Sequence, residues 1–256
     1  MLGNAEMNIS RRHLEEVIRS VDEPLVLLGG WAVNFLVNDR MMKTSGRGYL
    51  GSRDIDLGFR LEGPLEETLF ARVYEKLTRE MGFRPLSFRL FKEIDIDTGE
   101  LLDAEKARTM PSYQIFQMYV DLIVEKIPKG FRKRFGFVPV DEPLLGRVFD
   151  DRANRFETEA FGRKLWMPSP SMLVAMKVRS FPNRDKEHKR IKDLADIAAL
   201  VMFSPAETIK NVAGSISEGD KRLFETALNR DDIQKVSELS GMNPDVIDEV
   251  ISKILR

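Results

Sequence analysis

The sequence has no cysteine at all and only two histidines, His13 and His188, in 256 residues. The first absence excludes disulfides, thiolate metal sites and cysteine nucleophiles. The second leaves too few ligands for a multi-histidine zinc site. Any metal chemistry therefore falls to carboxylates and hard cations. Long apolar runs are missing too, so nothing reads as a membrane span. The start, "MLGNAEMNISRRHLEE", lacks the apolar core of a signal peptide, and the expectation is a cytoplasmic protein with no membrane partner. Charge of one sign is also lacking: the formal net charge is −1, which argues against a protein that coats nucleic acid and leaves room only for a local basic patch. What is present is an ordinary globular composition, 43% hydrophobic and 32% charged, enough for one large or two small domains.

Along the chain, Ser10 reads as the cap of a helix over 10–20, with Leu14, Val17 and Ile18 as its apolar stripe. "PLVLLGG" reads as a short buried strand ending in two glycines, and "WAVNFLV" continues as a helix. Residues 38–52 read as a polar loop. A strand with Asp54 and Asp56 follows, then a helix from "PLEETLF" to the glycine at 82. "FRPLSFRLFKEI" and "YQIFQMYVDLIVEKI" read as strands, and "GRKLWMP" as a last short one. From Ser169 on the pattern is helical. Its clearest member has Asn243 as cap, Pro244 in the first turn and Val246, Val250 and Ile254 repeating every four residues. The expectation is an α/β domain over 1–168 and a helical domain over 169–256.

Three features carry chemistry. Gly29 and Gly30 sit between a strand and a helix, where absent Cβ atoms let backbone N–H groups approach an anion; a turn that needs glycine for geometry alone is the plainer account. Asp54 and Asp56 flank Ile55, so on a strand both carboxylates point to one face. Such pairs also occur on ordinary surface strands. Asp121 stands among Val120, Leu122, Ile123 and Val124, and an aspartate inside an apolar strand needs a charge partner. Three carboxylates on neighbouring strands beside a glycine turn are what divalent cations and a nucleoside triphosphate require.

On "LLGGWAVNFL", "GSRDIDLGF" and "MYVDLIVE", over roughly residues 22–125, the chain resembles the polymerase-β-type nucleotidyltransferase palm. The resemblance implies a mixed-sheet palm in an α/β (α+β) chain, followed by a helical C-terminal lobe. It implies transfer of a nucleoside monophosphate from an NTP to a hydroxyl or similar acceptor. Gly29, Gly30 and Ser52 would lie on the nucleotide side, and Asp54, Asp56 and Asp121 would hold Mg²⁺ or Mn²⁺. Asp121 would also be the candidate base near the acceptor hydroxyl. The stretch "SPSMLVAMKVRSFPNRDKEHKRIKDLADIAAL" is similar to the helical part of AbiE-toxin-like and antibiotic-type members. That similarity implies a role for Lys177 on the nucleotide phosphate, with Asp193 and Asp196 on the next helix. It also raises the prospect of a protein antitoxin and of tRNA, a protein or a small molecule as acceptor. A non-catalytic palm that binds a nucleotide or a partner is the alternative.

Other residues have a bland account beside a sharp one. Lys177 lies on a stripe with Leu173 and Phe181, so its ammonium either pairs with Asp196 between helices or meets a phosphate. Asp193 has Lys189 four residues before it as a possible partner. Gly46, Gly48 and Gly51 spell G-x-G-x-x-G without the strand before and helix after that a dinucleotide site needs. Asp95 and Asp97 form a second D-x-D that runs into a turn and reads as an exposed hairpin end. Trp31 reads as core, with base stacking as the sharper role, and the basic runs "KGFRKRF" and "RDKEHKRIK" as solvated faces.

Overall fold

The computed structural model describes residues 4–21, 25–209 and 211–256. The fold is α+β with a mixed sheet. The described residues fall into two compact units, one drawn from 1–31, 51–150 and 156–167, the other from 32–50, 151–155 and 168–256.

The first unit holds the sheet, built from β1 (Leu25–Leu28), β2 (Asp54–Phe59), β3 (Arg84–Leu86), β4 (Arg89–Asp95), β5 (Ile115–Val124), β6 (Val140–Asp141), β7 (Arg155–Ala160) and β8 (Arg163–Pro168), in the order β3-β4-β5-β2-β1-β8-β7, with β6 beside β5. The central pair β2–β5 is parallel; β1–β2 and β4–β5 are antiparallel. Strand alternation sets two unlike faces. Ile55, Leu57 and Phe59 of β2 and Phe116, Met118, Val120, Leu122 and Val124 of β5 are buried. The opposite face carries Asp54, Asp56, Gln117, Tyr119 and Asp121.

Helix α1 (Asn4–Ser20) buries Leu14, Val17 and Ile18. It begins six residues before the sequence reading placed it. Ser10 is no cap: it is buried within the helix, and its hydroxyl donates to the Ser52 carbonyl at 2.6 Å. The expected helix after Pro64 starts at Leu69, because Thr68 accepts from Ala71 N–H and so fixes the first turn of α3 (Leu69–Glu75). A π-helical turn over Lys76–Glu80 follows, and Gly82, at φ +73°, ends it. Phe70 of α3 meets Phe59 edge-on at 5.3 Å and Phe131 at 5.0 Å, which seats α3 and α5 (Phe131–Phe135) in one aromatic cluster; α4 (Ala104–Thr109) precedes α5 in the chain and α6 (Leu145–Asp150) follows it. "FRPLSFRLFKEI" is not one strand but the β3–β4 hairpin, turning at Ser87, whose φ is +56°.

Helix α2 (Gly29–Ser45) continues into residues read as a polar loop; of its last turns Met41 is the buried side chain. In the second unit, α7 (Pro170–Ser180) and α8 (Glu187–Phe203) are the most buried helices, followed by α9 (Ala206–Ile209), α10 (Val212–Ser215), α11 (Glu218–Ala227), α12 (Arg230–Ser240) and α13 (Pro244–Leu255). Asn243 caps α13 as expected, accepting from Asp245 N–H at 2.8 Å. Among the described residues no helix is long and apolar enough to cross a membrane.

Candidate functional site

The D-x-D pair behaves as strand alternation requires: Asp54 and Asp56 share the open face of β2. The parallel register then sets Asp56 directly opposite Asp121, and Asp54 opposite Tyr119. On the other side of β2, Leu28 of β1 pairs with Asp56, which brings the β1–α2 turn to the same carboxylate. Gly29 takes φ +61°, and a Cβ built on it would lie 1.8 Å from Asp56 Oδ2. Only glycine fits there, for its conformation and for the space. Gly30 follows inside the first turn of α2, and Ser52 precedes Asp54 by two residues in the loop that Ser10 holds.

A residue that the sequence reading passed over completes this group. Arg89, first residue of β4, donates to Asp121 Oδ1 from Nε at 2.9 Å and to Oδ2 from Nη2 at 2.5 Å. The same Nη2 donates to Asp54 Oδ2 at 3.2 Å. The guanidinium also lies over the rings of Tyr119 and Phe88, 4.5 and 5.1 Å from their centroids. Burial works against its charge, but the Asp121 bonds and the fields of Asp54 and Asp56 outweigh burial and hold its pKa above the ordinary arginine value. The partner that Asp121 needs in an apolar strand is thus an arginine two strands away from the D-x-D. The available signal was an arginine within an aromatic stretch, "FRLF", on a strand neighbouring that of Asp121.

The donor set suits a hard divalent cation in kind, since carboxylate oxygens are its ordinary ligands. Asp54 and Asp121 already turn oxygens toward one positive group. Yet among the described residues no three acidic or histidine side chains are gathered as a metal cluster. The guanidinium stands where Asp54 and Asp121 converge.

The second D-x-D lies elsewhere in the sheet. Asp95 accepts from the Asp97 and Thr98 N–H groups at 2.8 and 3.2 Å, which makes it the organiser of a turn, and Asp97 is exposed. Trp31 is buried beside Gly51.

Lys177 belongs to the second unit and has its own network there. Its ammonium bonds to Asp193 Oδ1 at 2.9 Å and Asp196 Oδ2 at 2.5 Å, both on α8. Asp193 pairs also with Arg184 Nε at 2.7 Å rather than with Lys189. Asp196 further holds Lys192 and accepts a hydrogen bond from the Tyr49 hydroxyl. Burial disfavours every charge here. For Lys177 the two carboxylates overcome it and raise the pKa; for Asp196 the two lysines overcome it and lower the pKa. Lys192, paired with Asp196 alone of these carboxylates and facing Lys177, stays below the usual lysine value because burial prevails.

No family model and no curated protein matches the chain. Among solved structures it is similar to an antigenic nucleotidyltransferase-like protein from Paracoccidioides brasiliensis, at 16% identity and a TM-score of 0.43, over 95% of this chain and 92% of that one. A likeness of that degree decides neither fold family nor activity.

Proposed function

We propose that the chain is a metal-dependent nucleotidyltransferase that moves a nucleoside monophosphate from an NTP to a hydroxyl or similar acceptor. One observation carries the reading: Asp54 and Asp56 share a face of β2, Asp121 stands opposite Asp56, and Gly29 lies against Asp56 with no room for a side chain. Asp54, Asp56 and Asp121 would hold Mg²⁺ or Mn²⁺, which when bound neutralises phosphoryl charge and clamps the attacking and leaving oxygens. Gly29 and Gly30 offer the NTP phosphates a close backbone approach at the positive end of α2. Ser52 lies on the nucleotide side. Asp121 would take the acceptor's proton once Arg89 no longer bonds to both of its oxygens. Lys177 serves the framework of the helical lobe, because Asp193 and Asp196 both bond to it.

Within this class the sequence resemblance favours a toxin-like or resistance-like cytoplasmic enzyme. Its acceptor would be tRNA, a protein or a small molecule, and an antitoxin protein its partner. Arg89 gives a specific reason for a second reading: with a guanidinium between Asp54 and Asp121, the same fold binds a nucleotide or a partner without turnover.

The test uses the purified chain, Mg²⁺ and each α-labelled NTP, with cellular RNA and protein fractions as acceptors. Label is expected to move to one fraction. Asp54→Asn and Asp56→Asn should abolish transfer with circular dichroism unchanged. Full transfer by the double Asn variant overturns the reading. Nucleotide binding without any transfer favours the second.

A further inference from the structure

Arg89 does more than balance charge. It binds Asp121 side-on through two nitrogens and reaches Asp54 with one of them, so a single planar cation engages two of the three candidate metal ligands. A divalent ion on those oxygens would sit next to the guanidinium, and two positive groups at contact distance in a partly buried site repel strongly. Both cannot hold Asp54 and Asp121 together without a large loss of affinity.

The place of Arg89 in the chain supplies a way out. It is the first residue after the two-residue turn Ser87-Phe88, closed by the Leu86–Arg89 pair. Leu86 and Phe88 are exposed, at 45% and 41%, and Ser87 has the positive φ of a tight turn. The side chain can therefore leave the carboxylates for solvent by rotating about its own bonds, without disturbing the buried face of β4.

We infer that Arg89 is a built-in competitor for the divalent cation: metal enters by displacing the guanidinium from Asp54 and Asp121, and Arg89 thereby sets the concentration at which the site loads. The inference rests on the reading of Asp54, Asp56 and Asp121 as a divalent-cation site.

Mn²⁺ binding to the full chain, measured by paramagnetic resonance of the free ion, tests it without any turnover. Arg89→Gln keeps a polar side chain of similar length and removes the charge; it should bind Mn²⁺ at least tenfold more tightly than the wild type. Affinity equal to or weaker than the wild type overturns the inference while leaving the metal site standing. Absence of binding in both proteins, or binding that Asp54→Asn with Asp121→Asn does not weaken, overturns the metal reading itself, and the inference with it. Should Arg89→Gln not fold, Arg89→Lys serves, since it keeps the charge but loses the two-nitrogen contact. It should bind Mn²⁺ severalfold more tightly than the wild type, and unchanged affinity counts against the inference. A second readout comes from the wild type alone. The Arg89 Nε–H resonance, hydrogen-bonded to Asp121, should move to a solvent-exchanging position as Mg²⁺ is added. A resonance that stays put while metal binds refutes displacement.

Discussion

Lys92 of the first unit and Lys177 of the second are both buried, and they meet opposite fates. Lys92 in the first unit is 5% exposed and Lys177 in the second is 7% exposed. Lys177 has two carboxylates within bonding distance, and its pKa is raised. Lys92 has none at that distance among the described residues. Its ammonium lies over the Phe83 ring at 4.5 Å, and burial drives its pKa down to about 8; Glu16 pulls the other way and Arg12 adds to the lowering. Equal burial therefore does not fix a lysine's charge; the carboxylates beside it do. The candidate site follows the same logic with the signs exchanged. There three carboxylates bear on one arginine, whereas on α8 two carboxylates hold Lys177, Arg184 and Lys192. On α8 each carboxylate is matched by two cations, Asp193 by Lys177 and Arg184, Asp196 by Lys177 and Lys192. The β2–β5 group is acid-rich and partly open, Asp54 being 24% exposed, which suits a site that admits a further cation.

The strongest way to break this comparison is Lys177→Met, which keeps the stem's apolar volume and removes the charge. Asp193 would keep Arg184 and Asp196 would keep Lys192, but both are buried carboxylates that lose their shared cation. Removing one partner of a buried pair costs about 3–5 kcal/mol. The two units can be followed separately, since Trp31 and Trp166 both lie in the first. Far-ultraviolet circular dichroism should show a large drop in the melting temperature of the helical unit. Affinity for nucleotide per folded molecule should hold. A variant that melts like the wild type and loses nucleotide binding instead would move Lys177 into the site.

These contrasts were only partly legible in the sequence. Period-two alternation was enough to put Asp54 and Asp56 on one face, and an aspartate inside an apolar strand was enough to single out Asp121. Nothing local announces that Asp121 faces Asp56, because a parallel register is set by long-range packing. Arg89 was hidden because its hairpin turns at Ser87-Phe88, without the glycine or asparagine that marks most two-residue turns. With the turn unseen, the strand appeared continuous. Helix α2 outran its reading because "NDRMMKTS" is polar enough to pass for a loop. Tyr49 lay in that presumed loop, so its bond to Asp196 had no sequence signal. Lys92 falls on the buried face of β4 between Leu90 and Ile94, so the alternation itself marks it as a buried cation.

The next largest effect belongs to Lys92 and is a pH effect. The unfolded lysine titrates near 10.5 and the folded one near 8. Between those values the unfolded chain binds a proton that the folded chain does not, so stability rises with pH over that window. A shift of this size corresponds to about 3 kcal/mol at most. The groups that bear on it are Glu16 and Arg12 of α1, with His13, itself held below its usual pKa by burial and by Lys92. Lys92→Met should be more stable than the wild type at pH 7, and the gain should fade toward pH 10.5. Urea unfolding followed by tryptophan fluorescence at several pH values measures the difference. A constant difference across the window would mean that Lys92 is not desolvated as its burial implies.

The smallest effect sharpens the comparison on the α8 side. The Tyr49 hydroxyl donates to Asp196, which already holds Lys177 and Lys192. Tyr49→Phe removes one donor from a carboxylate that keeps two cations, so no charge is stranded. The expected cost is about 1 kcal/mol, that of one net hydrogen bond, well below that of Lys177→Met. The pH signature separates the bond from mere packing. Burial, then the nearby Asp196 charge, pushes the Tyr49 pKa well above its ordinary value of 10. The unfolded phenol loses its proton near 10 while the folded one keeps it. The stability that the hydroxyl contributes is therefore full below pH 10 and falls as pH rises past it. Tyr49→Phe lacks that fall. The gap between the two proteins should be constant from pH 6 to 9 and close above pH 10. A gap that persists unchanged to pH 11 would show that the phenol contributes by filling space and that the carboxylate is satisfied by its lysines alone.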